Sequence, residues 1–185
     1  MSDASNVSTG KPQVGGAIFR APVGTTLPTN ATTTLGQAFV GLGHVSSDGL
    51  TNSKSISSSD IKAWGGAVVY SAQTENTDKL KFKLIESKNA EVLKTIYGVE
   101  NVTVATNGDI SVNVGAQDFE DFAWVVDMLI SGGKKRITVS SAKITELGDI
   151  VYKDDDVIGY EITLTCALGA DGFYHHEYIT STSEE

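Results

Sequence analysis

The chain has little of what most site chemistry is built from. Among its 185 residues there is a single cysteine, Cys166, which excludes an internal disulfide and any centre that needs several thiolates. There are only three histidines, His44, His175 and His176, and two tryptophans. Basic residues are the minority sign, 14 against 23 acidic, so the formal net charge is -9 and a surface that grips nucleic acid phosphates is not expected. No apolar run approaches the roughly 20 residues of a membrane span. The N-terminal MSDASNVSTGK has neither a basic n-region nor an apolar h-region, so no secretory leader and no membrane partner are expected.

What is present suits one medium-sized globular domain, with 40% hydrophobic and 20% charged residues. The charge is uneven: residues 1–94 hold nine basic and seven acidic groups, whereas residues 95–185 hold five basic and sixteen acidic, a net of -11. An asymmetry of this size suggests that one surface is set aside as acidic.

Residues 1–16 are rich in Ser, Gly, Asn and Thr and read as a flexible N-terminal arm. A single domain is expected over 17–180, with 181–185 as a C-terminal tail. Within it, Ala17–Ala21 reads as a short strand stopped by Pro22, residues 22–37 as a turn-rich connection, and Ala38–Val45 as a strand broken by glycines. The polar stretch that follows, with an Asp48-Gly49 turn signal, is expected to be a long loop over about 46–63.

Strand signals then dominate. Ala67–Ala72 is β-branched and aromatic, and Lys79–Ile85 alternates so that Leu80, Phe82 and Leu84 share one face and three lysines the other. The period changes over 88–97, where Ala90, Leu93 and Tyr97 predict one helix with Ser87 or Asn89 as N-cap and Gly98 as C-cap. Strands at 102–104 and 110–114 flank an Asn107-Gly108-Asp109 turn. Residues 119–130 fit either period, but aromatic and β-branched enrichment and the Gly132-Gly133 turn into 136–140 favour a hairpin. Ile150–Tyr152 and Val157–Leu168 complete the set, the latter with Ile158, Tyr160, Ile162, Leu164, Cys166 and Leu168 on one face. The fold class expected is mainly β, an antiparallel β-sandwich or barrel with one flanking α-helix.

Each candidate for chemistry has a plainer explanation. Neighbouring imidazoles at His175 and His176 point to opposite faces of a strand and do not converge on a metal. Asp154-Asp155-Asp156 lacks the spacing of a calcium loop and reads as a solvated turn. Gly132-Gly133-Lys134-Lys135-Arg136 has no Walker spacing and reads as a guarded hairpin tip. Gly41-Leu42-Gly43 lacks the third glycine and the helix of a dinucleotide site. His44 stands alone, with a packing role expected, and Cys166 falls on an apolar face with no base nominated beside it. The sequons at Asn6, Asn30 and Asn101 carry no weight without a secretory leader. No catalytic residue, cofactor or metal is expected, and the enzyme class is left without a constellation.

Three features taken in order carry a resemblance. Gly41–Thr51 (GLGHVSSDGLT) is followed by Ser59–Gly66 (SDIKAWGG), then by the Lys- and Phe-rich strand ending Leu84-Ile85-Glu86, and then by the helix with Val92–Gly98 (VLKTIYG). Lys143–Glu146, Gly148-Asp149-Ile150 and Gly169–Gly172 agree in outline in the second half. This order resembles the major tail tube proteins of long-tailed, non-contractile bacteriophages, over roughly residues 15–180. The chain departs from the pattern at Ser140-Ser141, where such proteins often carry a proline, which leaves the strand boundary there open.

The resemblance implies a structural virion protein whose subunits join into hexameric rings stacked as a tube, a channel through which double-stranded DNA passes without specific binding. It implies a place in the phage tail, with assembly in the host cytoplasm, and a tape measure protein, a tail terminator and distal tail proteins as partners. On that basis the 46–63 loop is a candidate contact between subunits or rings, through Ser46, Asp48, Leu50, Asn52, Lys54, Ile56, Asp60 and Trp64. The acidic half supplies a candidate lumen in Glu100, Asp109, Asp118, Glu120, Asp121, Asp127 and Glu161, whose carboxylates would keep phosphates from adhering. The alternatives are a carbohydrate-binding, adhesive β-sandwich with Trp64, Tyr70 and Trp124 as its platform, and the tube of a related injection or secretion system.

Overall fold

Alternation over Lys79–Leu84 places the middle of the fold. In a computed structural model, which describes residues 2–13, 15–116 and 118–181, Leu80, Phe82 and Leu84 are buried while Lys79, Lys81 and Lys83 turn to the opposite face. Eleven strands and one helix are formed by the described residues: β1 (Lys11–Pro12), β2 (Ile18–Pro22), β3 (Val40–Gly41), β4 (Val45–Lys62), β5 (Val68–Leu84), α1 (Ala90–Tyr97), β6 (Val102–Val104), β7 (Ile110–Val112), β8 (Asp121–Ile130), β9 (Gly133–Leu147), β10 (Tyr160–Cys166) and β11 (His176–Ser181). The protein is mainly β and antiparallel, with a β-sandwich-like fold.

Nine strands make one curled sheet in the order β3-β2-β8-β9-β10-β5-β4, with β1 added to β8 and β11 to β9. β9 is the shared spine. Its first half, 133–138, pairs with β11, its second half, 142–147, pairs with β10, and β8 runs along its other edge. The segment 40–45 draws the two ends of the sheet together. Leu42 donates to the Ile18 carbonyl at 2.9 Å, and the His44 carbonyl accepts from Ile85 at 3.1 Å. The sheet therefore wraps a single core, in which Phe82 of β5 meets Trp124 of β8 edge to face at 6.2 Å. The fully buried indole N–H of Trp124 donates to the Ala142 carbonyl at 3.1 Å.

Helix α1 closes that core with Val92, Leu93 and Ile96. Its N-cap is Asn89, whose side chain accepts from the Glu91 amide at 3.0 Å. Gly98 ends it at a φ of 90°, donating to the Lys94 carbonyl. Arg20 ties β2 to the helix: its guanidinium lies 4.6 Å above the Phe122 ring and 3.4 Å from a Glu91 oxygen, and burial lowers its pKa. The β6–β7 hairpin forms a small second sheet beside α1.

Several sequence expectations change. The stretch 46–63 is not a loop: residues 45–62 are one strand, paired with β5 over almost its whole length through three bulges. Serine, lysine and asparagine on both faces hide a strand that buries neither face. For the same reason 67–72 and 79–85 fuse through polar residues 73–78 into the single strand β5. Ile150–Tyr152 is not a strand, and Leu168 lies exposed beyond the end of β10. Within the N-terminal arm, Lys11 and Pro12 pair with Leu129 and Met128, so this part is sheet rather than free chain. β9 passes through Ser140-Ser141 without a break. Of the 181–185 tail, all but Ser181 lies outside the described residues.

One corner has measurable consequences. Glu86 accepts from the His44 amide at 2.9 Å, lies 2.6 Å from His44 Nδ1, and accepts from the Asn89 side chain at 2.9 Å. These contacts, the His44 ring first and Asn89 second, hold the Glu86 carboxyl below its ordinary value of 4.5. A depressed carboxylate adds stability that is present above that ordinary value and lost as pH falls through the lower folded one. Replacing Glu86 with Gln therefore flattens the acid limb of a stability-pH curve. Gly43 sits in the left-handed region at a φ of 70°, and a Cβ there would collide with the Glu86 carboxylate. Gly43→Ala should cost about 1–2 kcal/mol in backbone conformation alone, read as a lowered melting temperature. Displacing the carboxylate from His44 and Asn89 lowers it further.

Candidate assembly site

The groups that could carry chemistry disperse. His175 Nδ1 lies 2.5 Å from Asp78 Oδ2 while His176 Nε2 lies 2.7 Å from Asp171 Oδ2, so the adjacent rings serve different carboxylates. Among the described residues no three of His, Cys, Asp and Glu converge as metal ligands. Burial pushes the Cys166 thiol up to about 12, far from a nucleophile. His44 does not have the expected packing role: its ring is largely exposed against Glu86. Asp154–Asp156 is an exposed turn in which Lys153 reaches Asp155 and Asp156 at 3.5 and 3.6 Å.

What the fold projects instead is a ribbon. β10 covers β5 only as far as Lys79, opposite Thr165; from there to the turn at 63–67, β4 and β5 have only each other. At about 3.3 Å per residue, the arm beyond Lys54 extends roughly 30 Å. Its root is braced. Asp78, 3% exposed, accepts from the Asn52 side chain at 2.5 Å and meets His175, and the Tyr174 hydroxyl donates to the Asn76 carbonyl. Farther out none of the described residues covers it. Ile56, Ile61, Val68, Val69 and Tyr70 are all more than half exposed, and Trp64 at the tip is entirely so, at 107%. A two-stranded ribbon is marginal in water by itself, and an apolar tip of this kind marks a contact surface. β4 also ends the sheet order, so its outer edge presents unpaired backbone along the arm.

The predicted contact residues thus divide. Ser46, Asp48, Leu50 and Asn52 belong to the root, where Ser46 bonds Asp48 at 3.0 Å and Leu50 packs on the core, whereas Lys54, Ile56, Asp60 and Trp64 belong to the projecting arm. Val68, Val69 and Tyr70 share that arm, although their β-branched, aromatic run reads locally as a buried strand.

The acidic set is not brought together. Asp127 does not stand on an open acidic wall: it lies on the face of β8 opposite Trp124 and Val126, yet it is 4% exposed, because its two oxygens take Arg136 Nε and Nη2 at 2.5 and 2.8 Å and the 23–39 segment covers the pair. Arg136 Nη1 in turn donates to the Asn30 and Thr33 carbonyls at 3.1 and 2.7 Å, fastening the 23–39 segment to the back of the sheet. Glu100, Asp118 and Glu120 surround a cleft near the end of α1, Asp121 opens β8, and Asp109 sits on the β6–β7 turn. Glu161 lies on the outer face of β10, 2.8 Å from Lys81.

That outer face of β9, β10 and β5 is charged, and two of its lysines are matched within it. Lys79 meets Glu146 at 2.9 Å, parallel to the Lys81–Glu161 pair, and Thr145 and Thr165 hydroxyls bond at 2.8 Å between them. Lys79 holds the Glu146 carboxyl low, and the Glu161 contact raises Lys81. The lysine stripe was legible as alternation; the glutamates come from strands about 65 to 80 residues downstream and give no local signal.

A family model described as phage tail tube protein matches residues 9–184. No curated protein gives a significant match.

Proposed function

The chain belongs to the phage tail tube protein family, and from that premise we propose that it polymerises with copies of itself into hexameric rings stacked as a tube that conducts DNA during ejection. Family membership makes it a structural component of the phage tail, and so of the virion. The observation that supports ring and tube formation is the arm. A ribbon of some 30 Å with an apolar tip and an open backbone edge is costly to keep in water and is satisfied by neighbouring copies.

We assign the channel wall to the outer face of β5, β10 and the second half of β9, the face opposite the core. Two of its lysines, Lys79 and Lys81, are already matched by Glu146 and Glu161. Such pairing lowers the unpaired positive charge the wall presents to DNA, and phosphates gain fewer released counterions by adhering to it. The acidic excess then keeps the rest of the surface repulsive toward DNA, and only Glu161 of the proposed lumen set stands on this face. The tape measure, terminator and distal tail proteins are the partners this role calls for.

Negative-stain microscopy of the concentrated chain tests the reading. Hollow tubes or six-fold rings are the expected result; a protein that stays monomeric at high concentration overturns it.

A further inference from the structure

We propose that the cleft between α1, the β6–β7 hairpin and the Tyr152 turn is the socket for Trp64 of a second copy, an inference that rests on the tube reading and names its longitudinal contact. The cleft is open and lined by Leu93, Tyr97, Ile110, Val112, Tyr152 and Tyr160. Tyr97 and Tyr160 meet edge to face at 6.1 Å and form its floor, while Tyr152 and Val114 at its rim are 72% and 77% exposed. An aromatic-floored slot with hydroxyls at hand suits an indole, whose body is apolar and whose N–H needs an acceptor.

Position singles out this socket. The tip at 63–67 and the cleft residues Ser87 and Lys88 lie at opposite ends of β5. The 17 residues of β5 span about 55 Å, so a chain does not reach its own cleft. A plug at one end and a socket at the other make a head-to-tail contact, which runs on as a stack when its rotation does not close a ring. The charges around the two surfaces match as well. Exposed Asp60 and Lys62 flank Trp64, and exposed Lys88 and Asp109 flank the cleft, so docking brings each charge within reach of an opposite one.

The test uses the full chain with Ala63→Cys and Val114→Cys introduced together, the first beside the indole and the second at the rim of the cleft. The buried Cys166 gives little background. Oxidation of assembled tubes should yield a ladder of covalent multimers on a non-reducing gel, with neither single variant giving more than its own homodimer. Trp64→Ala should raise the critical concentration for assembly about 30-fold, the size of a buried aromatic anchor. Lys62→Glu should weaken assembly and Asp109→Lys should restore it in the same chain, a rescue that a folding defect does not give. Tubes that form with no 63–114 ladder and no charge rescue overturn the socket and leave the tube reading standing. A wild-type chain that makes no tubes overturns both. A glycan that fills the cleft of the monomer with no effect on assembly also overturns the socket.

Discussion

Excising residues 55–77 and joining Lys54 to Asp78 through an Asn-Gly turn should give a chain that folds as a monomer and forms no tubes at any attainable concentration. Lys54 and Asp78 are directly paired in the β4–β5 register, so a two-residue turn closes the shortened hairpin without shifting either strand. The excised arm buries almost nothing within its own chain: Ile56, Ile61, Trp64, Val68, Val69 and Tyr70 are all exposed. Among the described residues the hydrogen bond it gives up to the rest of the fold is from the Tyr174 hydroxyl to the Asn76 carbonyl, a loss of about 0.5–1.5 kcal/mol. Thermal melting should therefore stay within a few degrees of the parent chain, while microscopy shows no polymer. Tubes of normal diameter from the shortened chain would show that the arm is dispensable and that the lateral contacts alone carry assembly.

The second large effect is at Asp127. Replacing it with Ala leaves the Arg136 guanidinium, 4% exposed, with no carboxylate, and breaking such a pair from one side costs about 3–5 kcal/mol. For a domain of this size that is a fall in melting temperature of roughly 10–15 °C. Because Arg136 also holds the carbonyls of Asn30 and Thr33, limited proteolysis within 23–39 should accelerate in the same variant. Glu161→Gln is the contrast. That carboxylate is half exposed in its pair with Lys81, and its loss should change stability by about 1 kcal/mol or less. If Asp127→Ala were as mild as Glu161→Gln, the buried pair would be refuted and the residue would return to the surface set.

The two substitutions also show why net charge misleads about geometry. Sixteen acidic residues in one half suggest an acidic wall, but adjacency in sequence does not place side chains on one surface. β8 alternates, so Asp121 and Asp127, six residues apart, share the face opposite Trp124; Asp121 is exposed while Asp127 is buried where the 23–39 segment lies over that face. Glu146 and Glu161 meet lysines of β5 because β10 lies between β9 and β5, an arrangement set by strand order. In the same way, a strand that buries neither face has no period-two hydrophobic signature, and β4 reads as a loop until its partner is known. The marginal stability of such a ribbon comes from backbone pairing and from whatever later covers it.

Where a local rule suffices, the sequence alone determines the outcome. Alternation sets the core face of Leu80, Phe82 and Leu84, a cap at Ser87 or Asn89 and Gly98 bound the helix, and Asn107-Gly108 turns the small hairpin. The order of its motifs points to the family. Only the tertiary structure decides that 45–62 is half of a projecting arm, that Asp127 is an internal tie, and that Lys79 and Lys81 face glutamates on the free side of the sheet. Each of these depends on which strands become neighbours, and that is settled by the global closure of the sheet around Trp124 and Phe82 rather than by any short stretch of chain.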